Sequence, residues 1–184
     1  MVRTRIFLFL LCCLASTVAQ AGDFTLTSPT IGHVDLLSEA QVYNGFGCNG
    51  ENQSPALKWT AGPEGTKSYA ITVYDPDAPT GSGWWHWVVY NIPANVTELS
   101  EGAGDSTGKL LPPGAVQGRT DYGTHAFGGA CPPKGDKPHR YIFTVYALKI
   151  EKIDVPYDAT AALIGFMIHA NSLGKASFTA KYGR

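Results

Sequence analysis

The run Asp75-Pro76-Asp77-Ala78-Pro79-Thr80-Gly81-Ser82-Gly83-Trp84-Trp85-His86-Trp87-Val88-Val89-Tyr90-Asn91 sets the architecture of this 184-residue chain. Tyr69-Ala70-Ile71-Thr72-Val73-Tyr74 before it and His86-Trp87-Val88-Val89-Tyr90-Asn91-Ile92 at its end are rich in β-branched and aromatic residues, as strands are. Gly81 and Gly83 mark the loop between them. Asp75 and Asp77 stand two residues apart beside prolines, so backbone stiffness rather than helix geometry holds them. Alternation along extended chain then points both carboxylates to one side. Two strands thus deliver Asp75, Asp77 and His86 to one rim.

The rest of the chain supplies more sheet. Phe24-Thr25-Leu26-Thr27-Ser28 alternates and is stopped by Pro29, and Leu57-Lys58-Trp59 precedes the turn Gly62-Pro63-Glu64-Gly65. Arg140 to Leu148 is long and apolar on both faces at its centre, which predicts a strand in the middle of a sheet. Ala176 to Tyr182 closes the chain as a strand. One helix is predicted, with Leu163, Ile164, Met167, Ile168 and Asn171 at 3.6-residue spacing, Asp158 as N-cap and Gly174 placed to end it. Residues 100–138 carry many glycines and prolines and little periodicity. A stretch that long inside a compact domain is expected to be ordered and functional, pinned by Cys131 and packed through Tyr122 and Phe127. The balance predicts a mostly β domain, a sandwich or rolled sheet with a peripheral helix.

Arg3 and Arg5 precede the apolar run Ile6 to Ala15, and Ala19-Gln20-Ala21 offers a small-x-small cleavage site. This is the pattern of a secretory signal peptide over residues 1–21, which sends residues 22–184 to the periplasm or the exterior as one domain. The run is too short to span a bilayer, which takes about 20 apolar residues. The net charge is −1, removal of the leader makes the chain more acidic, and there is no basic run. Nucleic acid and a strongly anionic membrane are therefore not the expected partners. Beyond the leader only Cys48 and Cys131 remain, and in an oxidising compartment they are expected to pair. The long loop so closed carries a chain-entropy stabilisation of up to about 4.5 kcal/mol.

Two nucleotide-like patterns fail on context. Gly45-Phe46-Gly47-Cys48-Asn49-Gly50 runs into the turn chemistry of Glu51-Asn52-Gln53-Ser54-Pro55, so no helix N-terminus follows to cradle a phosphate. Near Gly108-Lys109, Ala103 and Leu110 occupy the positions that a phosphate-binding loop gives to glycine and to serine or threonine.

A second proline-stiffened loop, Gly128-Gly129-Ala130-Cys131-Pro132-Pro133-Lys134-Gly135, runs into His139-Arg140-Tyr141 at the mouth of a strand. With Asp-Pro-Asp-Ala-Pro and His-Trp-x-Val-x-Asn-Ile-Pro before it, the chain resembles the phosphatidylethanolamine-binding proteins, also called Raf kinase inhibitor proteins, and most closely their bacterial secreted branch. Asn52 to Trp59 and Gly114 to Arg119 extend the resemblance over most of the mature chain. It implies a large antiparallel sheet packed on a smaller one, with a pocket at one end of the large sheet. The ligand-binding positions it implies are Asp75, Asp77, Pro79, His86, the 131–133 backbone of Cys131, Pro132 and Pro133, and His139 and Tyr141. It further implies a phosphate or phosphoethanolamine-like guest, such as a phospholipid headgroup, and protein contacts through which such proteins inhibit a target. No cofactor, metal or turnover is implied, and a homodimer is compatible with it. Cys131 stands where many eukaryotic members carry glycine, and residues 114–127 form a bacterial-type insertion at the mouth.

Two aspartates at an anion site would repel the guest. Either Asp75 or Asp77 accepts a hydrogen bond from His86 or His139 and aims the imidazole, or one of them meets the ammonium end of a zwitterion. His33, His125 and His169 lack such company and are expected in surface roles, with His125 nearest the mouth. Of Trp84, Trp85 and Trp87, one is expected to face the guest and the others to pack in the core. Lys134 and Arg140 are expected as one solvated and one structural charge, with Arg140 a partner for an aspartate. The alternative is a hydrolase or metal-dependent phosphoesterase built on the same Asp/His set. Against it, the sequence has no nucleophile motif and no His-x-x-x-His or Cys-x-x-Cys spacing.

Overall fold

The computed structural model describes residues 23–32 and 35–184; the leader expected over residues 1–21 and His33 lie outside the described residues. In chain order the strands are β1 (Leu26–Thr27), β2 (Asn44–Gly45), β3 (Cys48–Asn49), β4 (Leu57–Trp59), β5 (Ser68–Asp75), β6 (Trp84–Pro93), β7 (Glu98–Leu99), β8 (Val116–Gln117), β9 (His139–Leu148) and β10 (Ser172–Tyr182). One α-helix, α1 (Ala161–Asn171), precedes β10. A five-stranded antiparallel sheet has the order β10-β9-β5-β6-β8, a three-stranded one the order β1-β4-β7, and β2 and β3 form a hairpin. The fold is mostly β, with the large sheet central and the helix peripheral. The three strands at its centre, β9, β5 and β6, are those that the β-branched and aromatic runs predict.

The three central strands of the large sheet, β5, β6 and β9, are buried on both faces. Tyr69, Ile71 and Val73 of β5, Trp87 and Val89 of β6, and Phe143, Val145 and Ala147 of β9 pack against Leu26, Leu57, Trp59 and Leu99 of the small sheet. On the opposite face Ala70, Val88, Tyr90, Tyr146 and Leu148 meet Ile164 and Ile168 of α1. Period-two alternation sorts the side chains between two cores, and the centre of β9, Thr144 apart, reads apolar on both faces because both are covered.

Helix α1 departs from expectation at its ends. Thr160, not Asp158, is the N-cap, its side chain accepting from the Leu163 N–H at 3.2 Å. Gly174 does not stop the helix; α1 gives way at Ser172 and the chain passes directly into β10, which begins four residues earlier than Ala176. The buried seam is Ala161, Ile164, Gly165 and Ile168, whereas Leu163 lies exposed. Gly165 puts the helix close to the ring of Trp85, which supplies the apolar surface that Leu163 was expected to give.

The 100–138 region is ordered by turns and by β8, with Phe127 buried and its N–H bonded to the Gly104 carbonyl at 2.7 Å. Cys48 and Cys131 form the expected disulfide, with a sequence separation of 83. It ties the β2–β3 hairpin to the loop that leads into β9. Replacing both cysteines by alanine is expected to lower the unfolding free energy by about 2–4 kcal/mol. Urea denaturation of the double variant against the oxidised protein measures this, and an unchanged midpoint would show the cross-link to be idle.

Candidate functional site

Strands β5, β6 and β9 place their site residues at one end of the large sheet by register alone. Asp75 ends β5 opposite Trp84, the first residue of β6, and Tyr74 lies opposite Ile142 near the start of β9. Asp75 continues the row of Tyr69, Ile71 and Val73, while His139 and Tyr141 continue that of Phe143 and Val145. All three therefore project from the face that buries the core. His86 arrives differently. Pairing jumps from Val73–Trp87 to Tyr74–Trp85, so His86 is the extra residue of a β-bulge, and the bulge turns it to the same side as its neighbour Trp87.

These side chains line a cavity of about 170 Å³ together with Phe46, Ala78, Pro79, Thr80, Trp84, Tyr122, Cys131, Pro132 and Pro133. The loop from β5 to β6 closes tightly over its edge. Gly83 has φ +67°, and a Cβ there would collide with the Tyr74 side chain and the Asp75 carbonyl. The sequence reading missed Phe46, Ala78 and Thr80 as lining residues and placed Tyr122 only as a packing residue. Phe46 and Tyr122 come from loops without periodicity; the single hint was their nearness to the two cysteines.

Asp75 is 3 % exposed and spends both oxygens within the protein. Its Oδ2 accepts from His139 Nδ1 at 2.7 Å, and its Oδ1 accepts from the Asp77 N–H at 2.8 Å. The second bond is an Asx turn, and it corrects the expectation for Asp77. The chain leaves the strand at Asp75, alternation ends, and Asp77 turns away from the cavity. It forms a two-pronged pair with Arg140, Nε to Oδ2 at 2.9 Å and Nη2 to Oδ1 at 2.7 Å, and accepts the Arg140 N–H as well. These bonds from Arg140 lower the Asp77 pKa to about 2. Arg140 is thereby the structural charge of the pair foreseen, and Lys134 is exposed.

His86 is buried, with Nδ1 2.7 Å from the Gly128 carbonyl. A carbonyl only accepts, so Nδ1 carries the proton and Nε2 keeps its lone pair. Burial pushes the His86 pKa below the ordinary 6.5, so the ring is neutral at neutral pH. Tyr141 is 1 % exposed and its hydroxyl has no hydrogen-bond partner; the Trp84 Nε1–H at the cavity wall has none either. Burial, reinforced by Asp75, raises the Tyr141 pKa, which keeps the phenol protonated and a donor. Tyr122 bonds the Gly129 carbonyl at 2.8 Å, and its ring lies edge-on to Trp84 and His86.

Of the three tryptophans only Trp84 lines the cavity. Trp87 is fully buried with its indole N–H on Gln117 Oε1 at 2.7 Å, and Trp85 packs toward α1. His125 stacks on Tyr157 and His169 stands edge-on to Tyr146, both away from the cavity. With Asp77 turned outward, two carboxylates and two histidines do not converge. Among the described residues no group of three or more His, Cys, Asp or Glu is placed to hold a metal ion.

Comparisons with known proteins agree with this architecture. The UPF0098 protein YbcL of Escherichia coli strain K12 is 58% identical over 164 residues, covering 89% of this chain and 90% of that protein. The UPF0098 protein YbhB of the same strain is 53% identical over 148 residues, covering 80% and 92%. The crystal structure of E. coli YbcL, described as a new member of the mammalian PEBP family, superposes with a TM-score of 0.85 at 57% identity, covering 88% of this chain and 98% of that one. A homologue from Chlamydia trachomatis, named as a putative phosphatidylethanolamine-binding protein, gives a TM-score of 0.72 at 27% identity, covering 89% and 99%. The family model for phosphatidylethanolamine-binding protein matches residues 28–183. On sequence, topology and the strand-end motifs together, the chain belongs to the phosphatidylethanolamine-binding protein family.

Proposed function

We propose that the protein is a non-catalytic binding protein whose cavity takes a small oxyanion, a phosphate or phosphoethanolamine-like group. The observation that carries this reading is the buried Tyr141 hydroxyl, with the Trp84 indole N–H beside it: donors on the cavity wall without acceptors. A buried unsatisfied donor costs about 1–3 kcal/mol, and a guest rich in acceptor oxygens removes that cost. Asp75 does not veto an anion, because its oxygens are engaged by His139 and the Asp77 N–H. His86 completes the set by taking a proton on Nε2 when the anion arrives. Among the described residues that line the cavity, no free side-chain nucleophile is presented. The Thr80 hydroxyl donates to the Gly83 carbonyl, the Cys131 sulfur is held in the disulfide, and the Tyr141 phenol stays protonated. The leader of residues 1–21 supports action in the periplasm or outside the cell, where a protein target reading the occupied rim is the form that inhibition or modulation would take.

Two measurements test this. Calorimetric titration of Tyr141→Phe with inorganic phosphate should show affinity reduced by about tenfold or more, since a hydrogen bond to a charged group contributes about 1.5–3 kcal/mol. Thermal stability should hold or rise, because the orphaned hydroxyl is gone. Equal phosphate affinity in the two proteins would remove the ground for the proposal.

The second concerns pH. Burial depresses the His86 pKa and keeps the ring neutral, and a bound anion favours the imidazolium. Binding should therefore take up protons, and affinity should rise as pH falls from neutral toward and below 6.5, the ordinary histidine value. Sulfate, which does not titrate in this range, isolates the contribution of the ring; a flat sulfate profile from acidic to mildly basic pH would contradict the role given to His86.

A further inference from the structure

Phe46 occupies the tip of the β2–β3 hairpin, between Gly45 and Gly47, and lines the cavity. Two features of it set it apart from a core residue. The side chain is 71 % exposed although it is large and apolar, and the backbone sits at φ +51°, a left-handed conformation that glycine or asparagine adopts more readily than phenylalanine.

Despite its exposure the ring is fixed. The Cys48–Cys131 disulfide anchors the hairpin on one side. On the other, the Arg184 guanidinium bridges from the Gly47 carbonyl, Nη1 at 2.7 Å, to the Pro132 carbonyl, Nε at 2.6 Å. Tyr43 and Tyr122 lie beside the ring with centroids at 5.5 and 5.8 Å. A rigid aromatic ring held open at the rim of a cavity is a surface for apolar contact, made at little entropic cost on binding.

We infer that Phe46 determines ligand class: the cavity selects organic phosphates whose aryl or alkyl group, next to the charged head, lies on the Phe46 ring, and discriminates against inorganic phosphate. This rests on the oxyanion reading above and extends it. The charged head fits among Tyr141, Trp84 and His86, whereas an inorganic anion lodged there gains nothing from a ring at the mouth. The required chemistry is met equally by a soluble phosphate ester and by a phospholipid, whose glycerol and acyl carbons leave the head in the same direction.

The test titrates three probes into the protein and into Phe46→Ala and Phe46→Asn: inorganic phosphate, phenyl phosphate, and dihexanoyl-phosphatidylethanolamine below its micelle concentration. Asparagine suits the left-handed backbone, so Phe46→Asn should melt no lower than the parent and separates a ligand role from a structural one. At least one organic probe should bind the parent about tenfold more tightly than inorganic phosphate, the gain expected from covering part of a ring face. Both variants should lose that preference while their affinity for inorganic phosphate stays within about twofold. A gain for phenyl phosphate alone assigns soluble esters, and a gain for the lipid alone assigns the lipid source. Equal affinity for all three probes in the parent, or a preference that survives in Phe46→Asn, overturns the inference while leaving oxyanion binding intact. Absence of binding by every probe removes both.

Discussion

The bond between Asp75 and His139 is the constraint on which the site is built. Both groups are almost fully buried, and a carboxylate withdrawn from water without partners would be several kcal/mol unfavourable. The structure meets this with one imidazole N–H and one backbone N–H, 2.7 and 2.8 Å away. The first joins the end of β5 to the start of β9 and fixes the ring of His139. The second folds the chain into the turn that carries Asp77 out to Arg140 and Pro79 back to the cavity wall. One side chain therefore completes a strand junction, shapes a loop and orients a second functional group. The same two donors partly offset the Asp75 charge, which is the condition that the proposed oxyanion binding needs.

Around that pair the cavity divides into a floor and a rim with different origins. The floor is sheet: His139, Tyr141 and Asp75 stand in rows that continue into the core, and their positions are as rigid as the ladder of β5, β6 and β9. The rim is loop: Phe46, Tyr122 and the 131–133 segment meet through a disulfide, an arginine bridging two carbonyls, and stacked rings. Sheet geometry suits donors that must meet oxygen atoms within tenths of an ångström. Loops suit contacts of shape, where neighbouring family members can differ without disturbing the floor.

Legibility in the sequence follows the same division. Strands β5, β6 and β9 stood out because β-branched and aromatic residues cluster there, and the buried apolar centre of β9 marked a central strand. The cysteine pair was legible by elimination. Asp77 was misplaced because strand alternation was carried two residues beyond the strand; the Asx turn that Asp75 makes with the Asp77 N–H is a side-chain effect that periodicity does not encode. Thr160 rather than Asp158 caps α1 because the choice among nearby capping residues depends on where the preceding loop delivers the chain. Phe46 and Tyr122 reach the cavity only through long-range closure, and no local pattern marks them.

The cross-link between Cys48 and Cys131 has a bearing on the order of assembly. The covalent ring encloses β4 through β8, whereas β9, α1 and β10 lie C-terminal to it. In an oxidising compartment such as the one proposed above, the two sulfurs can join as soon as the 48–131 segment has collapsed, without waiting for the chain beyond residue 139. Such a stapled intermediate would leave β5 with an open edge until β9 pairs with it. His139 and Tyr141 stand on β9, so a chain that is already stapled still lacks two walls of the cavity until that strand is in place.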